Sequence, residues 1–320
     1  MPRSAASNRT DPGTRAFAED VAYYLTQTPR QLPSRYLYDE LGSSLFEAIC
    51  RLPWYPITRI EQRLLRDHRR EIFAGVASVS TVVELGPGSG EKLATLMADP
   101  AARDLSVHLV DVSPAALDKA TRALGAYCTA PIVVHQATYE AGLAEVRPRV
   151  SAGRTLVVFL GSNIGNFDPP GADAFLGGVR AALGSGDALL IGTDLVKSPA
   201  ELLRAYDDPL GVTAAFNRNL LVRVNRELGG DFAVDRFTHR AIWNDAESRV
   251  EMHLVSLDRQ RVRVQAADID ITFDANEPIW TESSYKYQLS DVSAMLDRGG
   301  FRPIRQWVES DFALTLAEAT

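Results

Sequence analysis

Residues 81–92, which read TVVELGPGSGEK, constrain the fold of this chain more than any other stretch. The first five are β-branched residues or leucine, apart from Glu84, and they are typical of a buried parallel strand. Three glycines follow at once, and a run of helix-forming residues begins at Glu91. Strand, glycine turn and helix open a doubly wound α/β sheet, in which ligands bind at the carboxyl ends of the strands. Glycine allows a close approach of backbone and ligand because it lacks a Cβ atom.

The spacing of the glycines indicates which ligand this loop would bind. A dinucleotide fingerprint requires G-x-G-x-x-G, whereas here Glu84 precedes G-P-G-S-G. The E-x-G-x-G pattern resembles motif I of the S-adenosylmethionine-dependent methyltransferases. That resemblance implies a loop packed against the methionine and ribose parts of the cofactor. A strand-to-helix turn without a ligand is the alternative interpretation.

Composition and charge exclude several classes of function. The chain has 320 residues, of which 46% are hydrophobic and 23% charged, as in ordinary globular proteins. A net charge of −7 at pH 7 disfavours broad attraction to nucleic acid or to an anionic membrane. The sequence has no apolar run of the ~20 residues that a membrane span needs, and no metal-ligand spacing of cysteine or histidine. Its first residues lack an apolar core, so we expect a disordered tail and not a secretory signal. We therefore expect a cytoplasmic protein without a metal. A monomer is a separate expectation.

Strands and helices alternate between residues 81 and 193, which predicts a parallel sheet covered by helices. A further helix at 289–300 is followed by two more strands, FRPIRQWV and FALTLAE. The prediction is a class I methyltransferase-type sheet of seven strands, mostly parallel, whose last two strands form an antiparallel hairpin. The first five strands are predicted at 81–85, 106–111, 131–136, 154–160 and 187–193, and the intervening helices at 91–98, 114–126, 139–147 and 171–184.

The alternation stops after the fifth predicted strand. Residues 198–228 are predicted to be helical, and residues 231–283 to form several longer strands with a hairpin turn at Asn244-Asp245. A cleft between two domains is a favoured place for a ligand. The predicted domains are a disordered tail (1–13), an α+β substrate-binding domain (14–60 and 197–285) and an S-adenosylmethionine-binding domain (61–196 and 286–320).

Two charged residues near the glycine loop are candidates for cofactor binding. Asp111 ends the second predicted strand, where an acidic residue accepts hydrogen bonds from ribose hydroxyls in open nucleoside-binding sheets. An exposed loop acid is the alternative. Lys92 begins the first helix, where its charge opposes the helix dipole. Lys92 could contact the cofactor carboxylate, or it could be a solvated lysine without a role in binding.

The fourth predicted strand leads into FLGSNIGNFDPP, residues 159–170. Asn166 can donate and accept hydrogen bonds at once, so it could hold an amine together with a carboxylate. Asp168-Pro169-Pro170 resembles the D-P-P-Y loop of nucleic-acid amino-methyltransferases, but the next residue is Gly171 and not an aromatic one. We interpret it as a turn that caps the next helix.

Several longer stretches, spread over both predicted domains, resemble the histidine Nα-methyltransferases of ergothioneine biosynthesis. The resemblance implies Nα-methylation of L-histidine by S-adenosylmethionine, in three rounds that give the trimethyl betaine hercynine. The alternatives are N-methylation of another aromatic amino acid or histidine derivative, and a catalytically inactive cofactor-binding paralogue. The stretches are YDELGSSLFEAICRLPWYPITR (38–59), FLGSNIGN (159–166), GTDLVK (192–197), RAYDD (204–208), GVTAAFNRN (211–219), VNREL (224–228) and TESSYKY (281–287).

The same resemblance implies roles for residues on the substrate side. Asn166 and Tyr206 would bind the carboxylate and the α-amino group, and Tyr55 would close over the ring; these three are the catalytic candidates. Imidazole carries a donor and an acceptor, so a carboxylate with a hydroxyl can satisfy both of its edges, which favours histidine over tryptophan. The other candidates are Glu282 and Ser284 as partners of the imidazole, Phe46 and Met252 as apolar walls, and Gly161.

On the cofactor side, one pair departs from the family pattern. The family has an acidic residue and phenylalanine after the third strand, and this chain has Thr138-Tyr139. Threonine is a neutral hydrogen-bond acceptor, whereas the acidic residue of the family is charged. The affinity for the cofactor is therefore expected to be lower than in family members with the acidic residue. The positions that the resemblance assigns to the cofactor are Tyr38, Gly86, Lys92, Asp111, Thr138 and Tyr139.

Overall fold

This computed structural model describes residues 12–146 and 153–320. The α-helices are α1 (Pro12–Leu25), α2 (Glu40–Ile49), α3 (Ile57–Ala74), α4 (Glu91–Met97), α5 (Pro114–Leu124), α6 (Tyr139–Val146), α7 (Pro169–Ala182), α8 (Pro199–Tyr206), α9 (Val212–Leu228) and α10 (Leu289–Arg298). The strands are β1 (Arg30–Gln31), β2 (Val79–Leu85), β3 (Ser106–Asp111), β4 (Ile132–Gln136), β5 (Arg154–Phe159), β6 (Ala188–Asp194), β7 (Phe237–Asn244), β8 (Arg249–Ser256), β9 (Gln260–Val264), β10 (Ile269–Phe273), β11 (Pro278–Tyr285), β12 (Phe301–Glu309) and β13 (Phe312–Ala319).

Seven of these strands form one sheet, in the order β12-β13-β6-β5-β2-β3-β4. The strands from β2 to β6 pair in parallel, and β13 runs antiparallel to both β12 and β6. The strand order reverses direction next to β2, and this is where open α/β sheets bind ligands. The predicted fold class, with its final antiparallel hairpin, is confirmed.

Helices α6, α7 and α10 cover one face of this sheet. Phe159 of β5 packs against Phe175 of α7, with ring centroids 4.5 Å apart. Phe167 stacks on the same ring at 5.2 Å, and Leu296 of α10 belongs to the same buried cluster. Each large apolar side chain buried in this way contributes about 1.5–3 kcal/mol, so this cluster holds the helices on the sheet.

The predicted boundaries of the first five strands differ from the observed ones by at most two residues. The predicted helix 139–147 ends one residue beyond Val146, and residue 147 lies outside the described residues. So do residues 1–11 of the predicted disordered tail, whereas α1 already begins at Pro12.

The stretch 198–228, predicted as one helical region, is divided into α8 and α9. The side chain of Asp208 accepts the backbone N–H groups of Leu210, Val212 and Thr213 at 2.8–3.2 Å. An aspartate that satisfies the first amides of a helix offers the backbone an alternative to a continuous helix. Asp208 therefore starts α9 instead of lying within a longer helix.

The described residues divide into two units. Unit 1 contains α9 and a second sheet in the order β1-β11-β8-β7, of which parts of β7, β8 and β11 belong to unit 2. The seven-stranded sheet belongs wholly to unit 2. Unit 1 consists of the described residues of Met1–Ile49 with Leu203–Ile242 and Glu251–Glu282, and unit 2 of those of Cys50–Leu202 with Trp243–Val250 and Ser283–Thr320.

Aromatic and aliphatic packing holds unit 1 together. Phe216, Leu220 and Val224 lie on the buried side of α9. The ring of Phe237 at the start of β7 meets Phe273 of β10 edge to face, with centroids 5.4 Å apart. Strands β9 and β10 form a separate antiparallel pair.

The hairpin predicted at Asn244-Asp245 is also present in the structure. Strand β7 ends at Asn244, its sheet neighbour β8 begins at Arg249, and residues 245–248 form the turn. No helix in 12–146 or 153–320 has the length and apolar character of a bilayer span.

Substitution of two glycines in the loop between β2 and α4 is predicted to lower the free energy of unfolding by different amounts. Gly90 has φ +76° and a methyl group there would lie 2.5 Å from Ala120 Cα, whereas Gly88 has φ +55° and open space within 4 Å. Gly90→Ala should lower the free energy of unfolding by about 2–4 kcal/mol, from backbone strain plus overpacking. Gly88→Ala should cost only about 1 kcal/mol, from the strain alone. Urea unfolding monitored by circular dichroism measures both, and equal losses would contradict the packing argument.

Candidate active site

The glycine loop after β2 presents its backbone at the carboxyl edge of the sheet. The N–H of Gly86 donates to the carbonyl of Val110, 2.9 Å away, which ties the loop to the end of β3. A methyl group on Gly86 would lie 2.9 Å from the Tyr139 hydroxyl oxygen, whereas one on Gly88 would meet nothing within 4 Å. The loop is therefore closed on the Tyr139 side and open at Gly88, as a cradle for a ligand requires.

Glu84 lies buried at the end of β2, directly before this loop. Its Oε2 atom makes no hydrogen bond with any residue in the described ranges. Burial raises the pKa of the Glu84 carboxyl to about 8; Lys92 acts in the opposite direction, and the negative charges of Glu61 and Asp111 add to the rise. A buried carboxyl group in this position can take a hydroxyl or amino donor from a bound ligand.

Asp111 stands at the end of β3, next to the glycine loop. One of its carboxylate oxygens accepts the N–H of Ser113 at 2.8 Å. Burial raises the pKa of Asp111, although the backbone N–H groups of Ser113 and Val112 act against the rise. The second oxygen of such a carboxylate can accept from a ribose hydroxyl, as predicted from the sequence.

The Thr138-Tyr139 pair begins α6, and its two members have different surroundings. Thr138 is exposed, and its hydroxyl oxygen accepts the N–H of Ala141 at 3.4 Å. The Tyr139 ring packs edge to face on Phe159, with centroids 5.5 Å apart, and burial raises the pKa of its hydroxyl. Of the pair, Tyr139 lies beside Gly86 of the glycine loop, and Thr138 caps the helix.

Lys92 is held by a carboxylate that the sequence analysis did not select. Its Nζ lies 2.6 Å from Oε2 of Glu61, a fully buried residue of α3. Burial opposes the charge of Lys92, but Glu61 outweighs it and raises the pKa of the ammonium. Both oxygens of Glu61 also accept the N–H of Gly161, each at 2.9 Å. Glu61 thus joins a predicted cofactor residue to a predicted substrate residue, and Lys92 is not a solvated lysine.

A signal for Glu61 was present in the sequence. It lies in the apolar stripe of α3, among the buried residues Ile57, Ile60, Leu64 and Leu65. A charged residue within the apolar stripe of an amphipathic helix requires a buried partner. The pattern shows that a partner is needed but does not identify it.

Asn163 is a second residue that the sequence analysis missed. A methyl group on Gly86 would lie 3.5 Å from its Nδ2, and one on Gly161 would lie 3.4 Å from its Oδ1. The Asn163 amide therefore stands between the loop after β2 and the loop after β5. It belongs to the same FLGSNIGN stretch from which Asn166 was selected.

Asn166 ends a short turn, Asn163–Asn166, and is exposed. The end of β11 lies against this turn, because a methyl group on Gly165 would be 2.7 Å from the carbonyl oxygen of Tyr285. The hydroxyl of Tyr287 also donates to the carbonyl of Ile164 at 3.3 Å. Within unit 2, Ser284 on β11 is thus brought to the loop that carries Asn166 and Gly161.

The Asp168-Pro169-Pro170 turn has the capping role predicted for it. The Asp168 side chain accepts the N–H of Gly171 at 2.9 Å at the start of α7. Tyr55, the remaining candidate of unit 2, is 7% exposed and precedes α3 in the chain, and its N–H donates to the carbonyl of Leu52.

The remaining candidates belong to unit 1. Tyr38 and Phe46, assigned to cofactor and substrate respectively, form one aromatic cluster with Phe216, with centroid distances of 5.5–5.9 Å. Met252 on β8 and Glu282 on β11 are both buried and lie on neighbouring strands.

Tyr206 ends α8, and its backbone is held by a residue outside the predicted site. His239 Nε2 donates to the Tyr206 carbonyl at 2.8 Å, while His239 Nδ1 lies 3.0 Å from the amide nitrogen of Asn217. Burial lowers the pKa of His239, so the ring is neutral at pH 7 with its proton on Nε2. His239 and Asn217 therefore fix the end of α8 at Tyr206.

The doubly wound sheet, the open glycine loop and the acid at the end of β3 define a nucleoside-cofactor-binding domain of the class I methyltransferase type. The family model described as "Histidine-specific methyltransferase, SAM-dependent" matches residues 17–319, and the chain belongs to this family. It is therefore an S-adenosylmethionine-dependent methyltransferase. The open cradle at Gly88, the buried carboxyl oxygen of Glu84 and the position of Asp111 fit this cofactor.

Individual relatives agree with the family match. The chain is 44% identical over 312 residues to the histidine N-alpha-methyltransferase of Mycobacterium tuberculosis, which covers 96% of each chain. The histidine N-alpha-methyltransferase of Mycolicibacterium smegmatis shows the same identity and coverage. Ergothioneine biosynthesis protein 1 of Neurospora crassa is 28% identical over 87% of this chain and 32% of its own length.

The raised pKa of Glu84 predicts a pH-dependent stability. The carboxyl has a pKa of about 8 when folded and an ordinary value of 4.5, so the folded protein holds this proton more tightly than the unfolded chain. The stability that this proton supplies is present below pH 4.5 and is lost as the pH rises towards 8, by at most about 1.4 kcal/mol per pH unit. The melting temperature of the wild type minus that of Glu84→Gln, both without cofactor, should therefore fall between about pH 5 and about pH 8.

Differential scanning calorimetry of both proteins measures this difference. The matched control is Glu91→Gln, which changes an exposed glutamate at the start of α4. Its melting temperature should follow that of the wild type across the same range. A constant difference for Glu84→Gln would show that this carboxyl is not the group that titrates.

Proposed function

We propose that this chain transfers methyl groups from S-adenosylmethionine to the α-amino nitrogen of L-histidine. The observation that carries the proposal is the 44% identity, over 96% of this chain, to two curated histidine N-alpha-methyltransferases. The relatives named for ergothioneine biosynthesis support placing the reaction in that pathway. Our proposal includes that it is the first step and that its product is the trimethylated betaine hercynine.

On the cofactor side, the residues at the carboxyl ends of β2 and β3 would hold the ligand. Bound S-adenosylmethionine supplies an electrophilic methyl group on a sulfonium centre. Gly86 offers backbone without a side chain, and Asp111 offers a carboxylate to the ribose hydroxyls. Lys92, Thr138, Tyr139 and Tyr38 are the further residues that we assign to the cofactor.

On the substrate side, we assign the amino-acid backbone to Asn166 and Tyr206. An amide and a phenol can together accept from the α-amino group and donate to the carboxylate. They would orient the nitrogen lone pair, and positioning of this kind can lower a barrier by ~7–11 kcal/mol in favourable cases. Tyr55 would close over the ring, and Phe46, Met252 and Gly161 would line it.

Glu282 and Ser284 would bind the imidazole ring. Glu282 is 9% exposed on β11, so a ring without an N–H group would offer this buried carboxylate no donor. A site built to hydrogen-bond a substrate rejects analogues that lack the matching group, by roughly 10⁴-fold in favourable cases. This chemistry favours histidine over phenylalanine, and the pair with Ser284 favours it over tryptophan.

We also propose that the protein is a cytoplasmic monomer whose partner is a small amino acid and not nucleic acid or a membrane. The net charge of −7 supports the exclusion of nucleic acid and membranes as partners, because phosphate-rich surfaces repel a negatively charged protein. Sedimentation of the purified protein measures its oligomeric state.

A substrate panel tests the proposed function. Purified protein is incubated with methyl-labelled S-adenosylmethionine and each of the twenty amino acids separately. Label should enter histidine, and mass spectrometry should show three added methyl groups after exhaustive turnover. Label in tryptophan alone, or cofactor binding with no transfer to any amino acid, would overturn histidine methylation. Monomethyl histidine as the final product would overturn only the three-round reaction.

Glu282→Ala should weaken histidine binding selectively. Loss of a charged hydrogen-bond partner predicts an increase of about 10- to 100-fold in the Kd of histidine, measured by isothermal titration with S-adenosylhomocysteine present. The Kd of S-adenosylhomocysteine should change by less than about twofold, because Glu282 makes no contact with it in this proposal. The control is Glu251→Ala, which removes another buried carboxylate of unit 1, bonded to His253. Equal losses of both ligands in Glu282→Ala would count against the assigned role.

A further inference from the structure

The carboxyl edge of the seven-stranded sheet, which lies wholly in unit 2, has two sides around β2. Strands β3 and β4 lie on one side of β2, and β5 and β6 lie on the other. Asp111, which we assign to the ribose, ends β3 and so belongs to the first side. A cofactor with its nucleoside there would reach the loop after β5 with its other end.

Asn163 begins the short turn after β5, and both of its neighbours in the chain are fixed. The hydroxyl oxygen of Ser162 accepts the N–H of Asp194, the last residue of β6, at 2.9 Å. Ile164, on the other side, is fully buried. These contacts hold the backbone of Asn163, and a side chain on a fixed backbone is well placed to bind a ligand.

The Asn163 carboxamide lies between two glycines that have no side chain to cover it. A methyl group on Gly86 would lie 3.5 Å from its Nδ2, and one on Gly161 would lie 3.4 Å from its Oδ1. Both glycines have left-handed φ angles, +71° and +79°, which favour glycine over residues with a Cβ atom. Asn163 is half-buried, and its carboxamide makes no hydrogen bond with any residue in 12–146 or 153–320. Its donor and its acceptor are therefore open to a ligand at this edge.

Lys92 places a positive charge beside the same carboxamide. The methyl group that would lie 3.4 Å from Asn163 Oδ1 would lie 3.0 Å from Nζ of Lys92. Glu61 is 2.6 Å from this Nζ, but an ammonium group has three N–H donors, so the pair leaves donors for a ligand. The loop after β5 therefore offers a charged donor from Lys92 together with a neutral donor and a neutral acceptor from Asn163.

We propose that Asn163 is a cofactor-binding residue that holds the amino-acid end of S-adenosylmethionine, with Oδ1 accepting from the ammonium group and Nδ2 donating to the carboxylate. The inference rests on the proposed function, in which Gly86, Lys92 and Asp111 bind this cofactor. Only the amino-acid end of the cofactor carries an ammonium group and a carboxylate. Lys92 can bind the carboxylate alone, because an ammonium group has no lone pair to accept with. Asn163 supplies the acceptor that the cofactor ammonium needs.

A carboxamide suits this zwitterionic end better than a second charged side chain would. A carboxylate at position 163 would accept from the ammonium group but would repel the carboxylate of the cofactor. A lysine would do the reverse. The neutral amide of Asn163 bonds to both groups, and it leaves the charge balance of the Glu61–Lys92 pair unchanged.

Two ligands that differ at the amino-acid end test the inference. 5′-Methylthioadenosine has the nucleoside and the thioether of S-adenosylhomocysteine but no ammonium group and no carboxylate. By isothermal titration, Asn163→Ala should raise the Kd of S-adenosylhomocysteine about 10- to 100-fold and leave that of 5′-methylthioadenosine within about twofold. Asn163→Asp, which keeps the size and an acceptor but repels the carboxylate, should give the same selective loss. Unchanged binding of S-adenosylhomocysteine in Asn163→Ala, or an equal rise for both ligands, would overturn the role of Asn163.

Two further variants provide matched controls. Asp111→Ala removes a contact to the ribose, which both ligands contain, so it should raise both Kd values by a similar factor. Asn166→Ala changes an exposed asparagine at the other end of the same turn, and it should leave both Kd values within about twofold. A selective loss of S-adenosylhomocysteine in Asn166→Ala as large as that in Asn163→Ala would show that the turn as a whole, and not the Asn163 carboxamide, is responsible.

The outcomes separate this inference from the proposed function. If the wild type binds S-adenosylhomocysteine but does not methylate histidine, the proposed function fails and the selective loss in Asn163→Ala still supports the inference. If Asn163→Ala weakens both ligands equally while Asp111→Ala behaves as expected, only the inference fails. If Asp111→Ala changes neither Kd value, the assigned cofactor site fails and the inference fails with it.

Discussion

The carboxylate of Glu61 is the contact on which the carboxyl edge of the sheet depends. It lies fully buried on α3, and such a group is tolerated only when charge and hydrogen bonds compensate for the lost water. Lys92 of α4 supplies the charge, and the N–H of Gly161 supplies the hydrogen bond. One side chain thereby joins α3, α4 and the loop after β5. The loop that carries Gly161 and Asn166 is therefore anchored by this ion pair in addition to the hydrogen bonds of its own turn.

The carboxyl groups of Glu61 and Glu84 differ in how completely they are hydrogen-bonded. Glu61 has partners for both oxygens, whereas Glu84 has an oxygen without a hydrogen bond in the described residues, and burial raises its pKa to about 8. A fully satisfied buried group stabilises structure, and an unsatisfied one marks a place where a ligand can complete the hydrogen bonding. We therefore propose that Glu61 supports the cofactor site, whereas Glu84 belongs to the surface that would contact the cofactor.

Much of the fold could be predicted from local patterns. The five parallel strands and the final hairpin followed from apolar runs and helix periodicity, because burial on both faces leaves a signal in each segment. Asp168 was correctly predicted to cap α7, since a cap involves only neighbouring residues. The break at Asp208 was not predicted, although Pro209 and Gly211 follow it in the sequence and both residues disfavour a continuous helix. The structure adds the Asp208 carboxylate, which accepts the first N–H groups of α9.

The candidate site, like the fold, has some features that local sequence predicts and others that only the tertiary structure shows. The sequence by itself determined the class of the protein, since the E-x-G-x-G loop, Asp111 at the end of a strand and the longer family stretches are contiguous or evenly spaced features. The tertiary structure decided the partners of the buried charges: Glu61 for Lys92, and Asp194 with Ser284 for Lys286. A lysine in an apolar stretch of sequence predicts that an acidic partner is needed. The sequence does not show which acidic residue it is, because that depends on which one the folded backbone brings within hydrogen-bonding distance. Long-range pairing of this kind leaves no periodicity in the sequence, and it is why the sequence alone could name Lys92 as a candidate but not Glu61 as its partner.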